Sequence, residues 1–329
     1  MADVVYAIGD IHGRSDLLSK MEAMLSVLVT RIPANSPLVV TMGDYCDEGP
    51  DSKGIYDRLL IPGFANIPRI SLPGNHDVWL VRAMTMFRDN TPGWESWLFG
   101  ASDSGIAATL KSYGIPVPSD FTDHNNQVRV MRALCAKFPA RVADMIKAMP
   151  PILYEAGIIF VHAGLNPQYT INNQDLEDCI MGAEGFWSGK GDFGAPVCVG
   201  HRVLTSPVIT PKIFGLDTGA AEYGVLTAGV FVQGKPYQFL AACDKLDWTP
   251  VIVDAGDDAY LSVSRLWWRE VIKASPHPPY LAFDDKARLE AFVKSTKITS
   301  YRHIPIAKHT FFGRKEKHRV LHITSPKIQ

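Results

Sequence analysis

Cysteine is scarce and poorly placed for cross-linking: Cys46, Cys135, Cys179, Cys198 and Cys243 are odd in number, widely spaced and contain no CxxC pair. A disulfide framework and a zinc knuckle are therefore excluded, and a reduced, cytoplasmic setting is expected. No apolar run approaches the roughly 20 residues that a membrane-crossing helix needs. The first apolar run begins at Val4, and nothing in the sequence marks export or anchoring, so no membrane partner is expected. An excess of one charge is also missing. With 33 Lys and Arg against 34 Asp and Glu, the net charge is −1, so no global field draws the chain to nucleic acid. Internal repeats and low-complexity segments are absent too.

What is present is enough apolar sequence for a large core, 47% of 329 residues. Residues 4–8 (VVYAI) form a short apolar run stopped by Gly9, after which Leu17, Leu18, Met21, Met24, Leu25 and Leu28 recur at helical spacing. The pattern returns in PLVVTMGD (37–44) with a helix from Asp51 to Leu60, and in PRISLPGNHD (68–77) with a helix to about Phe87. Three successive βα units predict parallel strands in one sheet. Residues 90–150 read as mainly helical, broken near Pro92, at 114–118 and at Pro139. From ILYEAGIIFVHAG to YQFLAAC, β-like runs alternate with Gly and Pro turns, which predicts a second, mostly antiparallel sheet. The expected architecture is thus an α/β, two-sheet sandwich flanked by helices, covering residues 1–244. Residues 245–329 form a C-terminal extension of unknown role, with possible helices near 262–273 and 284–295.

Seven side chains in short Gly-flanked segments carry the chemistry: Asp10 and His12 in GDIHG, Asp44 in GDYCDEG, Asn75 and His76 in GNHD, His162 in HAG and His201 in GHR. Each segment follows a β-like run, where an α/β sheet presents residues to a ligand. Two cations about 3.5–4 Å apart can hold the attacking and leaving oxygens of an in-line displacement. The ligands needed are one bridging carboxylate and several His, Asp or Asn donors. Asp10 and His12 suit one metal, Asp44 a bridge, and Asn75, His162 and His201 the second metal. Mixed nitrogen and oxygen donors suit manganese, iron or zinc better than calcium.

Together and in this order, GDIHG, GDYCDEG, GNHD, HAGLNP and GHR resemble the calcineurin-like metallophosphoesterase superfamily, specifically its bacterial serine/threonine phosphoprotein phosphatase branch. The resemblance runs through about residues 2–243 and includes DTGA (217–220). Val203 stands where the wider superfamily usually has a second histidine, which favours the protein-phosphatase branch. The resemblance implies a hydrolase working through a metal-bridging hydroxide on a small-molecule or phosphoprotein substrate. It also implies an acid pair, His76 oriented by Asp47, that protonates the leaving group.

Two positions depart from the branch. It places a phosphate-gripping arginine after the aspartate of the acid pair, where this chain has Glu48; a second such arginine aligns with Ala183 in MGAEGFW. Arginine serves there through its planar, two-pronged fork. A carboxylate about 4 Å from a substrate anion would instead repel it by some 4 kcal/mol at an effective dielectric near 20. Either Glu48 turns outward, or Arg202 or Arg14 supplies the missing charge, or the substrate differs. A phosphodiester, a dinucleoside polyphosphate and a non-phosphorus ester or amide are the alternatives, and a silent binding module that kept its metals is a third reading. His124 reads as a helix-capping or solvated residue. His277, His303, His309, His318 and His322 lack metal-like spacing, GRKEKHR (313–319) reads as a solvated face, and Trp267 and Trp268 as a helix anchor.

Overall fold

The computed structural model describes residues 1–64, 66–99, 105–204 and 207–243, with the backbone of five further strands between 280 and 323. The three anticipated βα units are present: β1 (Val4–Ile8), α1 (Ser15–Leu28), β2 (Pro37–Thr41), α2 (Ser52–Leu59), β3 (Arg69–Ser71) and α3 (Asn75–Arg88). β1, β2 and β3 pair in parallel. α1 forms because Leu17, Leu18, Met21, Met24, Leu25 and Leu28 give it one buried stripe. α2 starts where Asp51 accepts a hydrogen bond from the Gly54 amide at 2.9 Å. The segment to residue 150 is helical as expected: α4 (Trp94–Phe99), α5 (Ile106–Ser112), α6 (His124–Lys137) and α7 (Ala140–Ala148). Asp123 caps α6, accepting from the Asn126 amide at 2.8 Å, and His124 is the first residue of that helix.

The second sheet comprises β4 (Ile152–Glu155), β5 (Ile158–Val161), β6 (Val197–Val199), β7 (Val208–Ile209) and β8 (Ile213–Gly215), in the order β4-β5-β6-β8-β7. The expectation of a mostly antiparallel sheet is corrected here. β5 with β6 and β6 with β8 are parallel, while only the two edge pairings are antiparallel. α8 (Leu176–Met181) lies in the β5–β6 connection.

The hairpin β9 (Val225–Val232) and β10 (Lys235–Cys243) also joins a different sheet from the one its turns suggested: β9 pairs antiparallel with β1 in the first sheet. Gly and Pro turns announce a hairpin, but burial selects its partner. Seven of the eight β9 residues are buried, and such a strand needs cover on both faces, which a central place in the larger sheet supplies. In the tail, β11 (Tyr280–Phe283) pairs parallel with β10, and β15 (Arg319–Ile323) and β12 (Tyr301–Pro305) continue outward. β13 (His309–Phe311) and β14 (Arg314–Glu316) form a separate ribbon. The extension thus lengthens the first sheet. The anticipated helices near 262–273 and 284–295, with Trp267 and Trp268, lie outside the described residues.

Alternation along β1 shows the layering. Val4, Tyr6 and Ile8 face a core shared with the helices, while Val5 and Ala7 face a second core, between the sheets, with Phe160, Phe214 and Phe231. A third core covers the outer face of the second sheet around Phe186 and Leu165. Among the described residues Cys46, Cys135, Cys179 and Cys198 are free thiols.

Candidate metal centre

The parallel strands set the site. Asp10 and His12 follow β1, Asp44 follows β2, Asn75 and His76 follow β3, His162 follows β5 and His201 follows β6, each within five residues of the strand end. Strands from both sheets therefore converge on one point, as strand ends of open α/β sheets do at ligand sites. Backbone at this point is bent into the left-handed region at five non-glycine residues: His12 (φ 41), Asp44 (φ 50), Asp47 (φ 67), Glu48 (φ 58) and His201 (φ 64). Such conformations cost on the order of 1–3 kcal/mol each and gather where function over-determines the chain. The glycines of GNHD and GHR have a related cause. A side chain on Gly74 would run into the Asp44 carboxylate, and one on Gly200 into that of Asp10.

Donor atoms of Asp10, His12 and Asp44 lie within 4.8 Å of one another, as do those of Asp44, His162 and His201. Asp44 belongs to both groups, the position a bridging carboxylate requires. Asn75 Oδ1 lies 3.1 Å from His162 Nε2 and 2.9 Å from His201 Nδ1, which places the amide in the second group. Backbone carbonyls aim two of the rings. His12 Nδ1 donates to Cys46 O and His162 Nδ1 to Met42 O, both at 2.8 Å, leaving each Nε2 turned inward. Amides hold the carboxylates, His201 N donating to Asp10 Oδ2 at 2.7 Å and His76 N to Asp44 Oδ1 at 3.1 Å.

These residues fit a pair of cations. Asp10 Oδ1 is buried and has no hydrogen-bond partner, which for a carboxylate oxygen is costly unless a cation meets it. Burial, with the nearby Asp217 and Asp44, pushes the Asp10 carboxyl well above the ordinary range. Burial pushes Asp217 up to about 6. It also acts on Asp44, but the imidazoles of His162, His76 and His12 outweigh it and hold that carboxyl well below the usual range. Burial and His162 lower His201 to about 4, which leaves its ring neutral and able to ligate.

His76 and Asp47, expected to act as an acid pair, lie within hydrogen-bond reach of each other. His76 Nδ1 donates to Asp47 Oδ2 at 2.8 Å. Although burial opposes the charge, Asp44, Asp47 and Glu48 raise His76 to about 10. Behind it stands a residue the sequence gave no reason to single out, Thr109 of α5. It donates to Asp47 Oδ1 at 2.7 Å and accepts from the Asp47 amide at 2.9 Å. Asp77, overlooked within GNHD itself, holds the start of α3 by accepting from the amides of Gly74 (3.0 Å) and Tyr45 (3.1 Å) and from the Tyr56 hydroxyl (2.6 Å).

The rim is different. Glu48 does not turn away: its carboxylate groups with His12 and His76 within 4.8 Å. Arg14 spends its guanidinium on Asp16 (2.9 and 2.7 Å) and on the Ala220 carbonyl (2.7 Å), so it braces the DTGA segment instead of facing substrate. Arg202 stacks on the Trp187 ring with its Cζ 5.2 Å from the ring centroid. Ala183 lies in the turn that receives the Phe186 amide.

A two-sheet sandwich that gathers histidines, carboxylates and an asparagine at its strand ends is the architecture of a metal-dependent esterase class. Residues 4–229 match the family model described as calcineurin-like phosphoesterase, and the chain belongs to that family. It is 27% identical over 165 residues to the symmetrical bis(5'-nucleosyl)-tetraphosphatase of Ralstonia nicotianae (strain ATCC BAA-1114 / GMI1000), covering 50% of this chain and 43% of that protein. It is 27% identical over 135 residues to serine/threonine-protein phosphatase 2 of Escherichia coli (strain K12), covering 39% of this chain and 57% of that protein. The chain thus spans about half the length of these curated relatives, 43% and 57%. A solved structure of a putative diadenosine tetraphosphatase superposes with a TM-score of 0.49 at 19% identity, covering 74% of this chain and 95% of that one.

Proposed function

We propose that the chain is a metal-dependent hydrolase of phosphorus esters, built on the plan of the serine/threonine protein phosphatases. The observation that carries this reading is the convergence of two donor groups on Asp44, with the His76–Asp47 pair beside them. Two bound cations, manganese, iron or zinc by the donor set, would withdraw charge from the ester and make a shared water acidic. Asp10 and His12 would hold the first, Asn75, His162 and His201 the second, and Asp44 both. His76 protonates the departing oxygen through Nε2, and Asp47 fixes the tautomer by accepting from Nδ1. Thr109 keeps Asp47 in place.

A second reading keeps the chemistry and changes the substrate to a phosphodiester, a dinucleoside polyphosphate or a non-phosphorus ester or amide. Glu48 at the rim, Ala183, and the engaged guanidinium of Arg14 favour it, because no strong phosphate fork is left in those places. The test is turnover by metal-reconstituted protein of para-nitrophenyl phosphate, its bis-ester and para-nitrophenyl acetate. Preferred turnover of the monoester supports the first reading, and of either other compound the second. Silence toward all three with metal bound would turn the account toward a binding module. Among the described residues no helix is long and apolar enough to cross a membrane.

A further inference from the structure

We infer that the carboxylate of Glu48 occupies the anion position of the site as an internal competitor, so that the pocket turns away phosphomonoester dianions and admits monoanionic diesters. This rests on the reading of the cluster as a metal centre. Its basis is placement. One carboxylate oxygen of Glu48 and one ring nitrogen each of His12 and His76 lie within 4.8 Å of one another. The Nδ1 atoms of both rings are committed, to Cys46 O and Asp47 Oδ2, so the Nε2 atoms are those that face Glu48. These are the nitrogens that a substrate would meet on the first-cation side and at its leaving group.

Glu48 is also built into this place. Its backbone is left-handed (φ 58), and its amide donates to Gly105 O at 3.2 Å. Gly105 has φ 69, and a side chain there would strike the Glu48 amide nitrogen and Cγ. Gly105, at the start of α5, therefore packs against the base of Glu48 and limits where its carboxylate can go. Among the described residues no hydrogen bond or ion pair engages that carboxylate, so its charge is not spent elsewhere. Its attachment differs from that of Asp47 one residue earlier, which Thr109 and Ser52 bind from behind. Asp47 serves the histidine; Glu48 fronts the open side.

Charge at the rim decides what fits. A dianion entering beside Glu48 meets like charge at contact range, whereas a diester brings half that charge and a second organic group instead of a second anionic oxygen. Glu48 is thus a specificity-determining residue, reading the charge of the substrate and not the identity of its alcohol.

The experiment is titration calorimetry of inorganic phosphate into metal-reconstituted full-length protein, wild type against Glu48→Gln and Glu48→Ala, with elemental analysis of each sample. The expected result is unchanged metal content and phosphate binding tightened by about tenfold or more, as removal of one facing charge implies. The ratio of para-nitrophenyl phosphate to bis-ester turnover should rise in the same variants. Unchanged phosphate affinity with metal retained overturns the inference. So does loss of metal in both variants, which would make Glu48 a ligand. Wild-type protein that binds metal yet hydrolyses no ester counts against the hydrolase reading alone, since phosphate binding still reports on Glu48.

Discussion

The floor of the site and its rim obey different rules. On the floor, Asp10, Asp44 and His162 are essentially buried, each of these three is aimed by a backbone amide or carbonyl, and every residue type matches what a pair of cations needs. On the rim, Glu48 and Arg202 are exposed, Arg14 is drawn off to Asp16, and Ala183 offers no functional group. The floor is held by the strands that build the core, so a change there disturbs the fold. The rim hangs from loops, where a substitution can alter what binds while leaving the architecture intact. The donors that suit cations and the outward-facing side chains therefore occupy separate parts of one site.

Substitutions on the two sides should separate accordingly, the floor giving the largest effects. Asp44→Asn should deplete metal and remove hydrolysis by well over the roughly 100-fold that loss of a supporting hydrogen bond around a metal costs; elemental analysis and turnover assays check it. His76→Ala should retain metal but lose about 100- to 10,000-fold in turnover, most for poor leaving groups. Equal losses for good and poor leaving groups would remove its role as acid. Thr109→Val, one step behind the floor, removes the donor to Asp47 Oδ1 and leaves the Asp47 amide with Ser52 Oγ alone, at 3.2 Å. It should lower stability by about 1–3 kcal/mol in denaturant titration and reduce turnover less than His76→Ala. Arg202→Ala, on the rim, should cost about 0.5–1 kcal/mol of stability from the lost ring contact and change turnover little. A large kinetic loss there would show that the guanidinium leaves Trp187 to meet substrate, and would blur the division.

Most of the floor is legible in the sequence, because each donor sits in a short segment immediately after an apolar run. Strand, glycine and ligand are all local, and their order along the chain carries the rest. Partnerships across the fold are not legible in this way. Thr109 and Asp47 are 62 positions apart, and no pattern around Thr109 marks it before α5 packs on α2. The sheet that receives β9 is likewise chosen by burial on both faces, which the Gly and Pro turns around it do not encode. At the rim the residue types were visible but their directions were not. Sequence leaves Arg14 available and Glu48 free to face either way, whereas the fold puts the Arg14 guanidinium on the Ala220 carbonyl and Gly105 against the base of Glu48.

The central claim is that Asp10, His12, Asp44, Asn75, His162 and His201 hold two cations in common. A crystal structure of protein reconstituted with manganese, phased on the metal's anomalous signal, tests it directly. Two peaks should appear, both within coordination distance of Asp44, one beside Asp10 and His12 and the other beside Asn75, His162 and His201. A fully loaded sample with no anomalous peak among these six side chains would contradict the account.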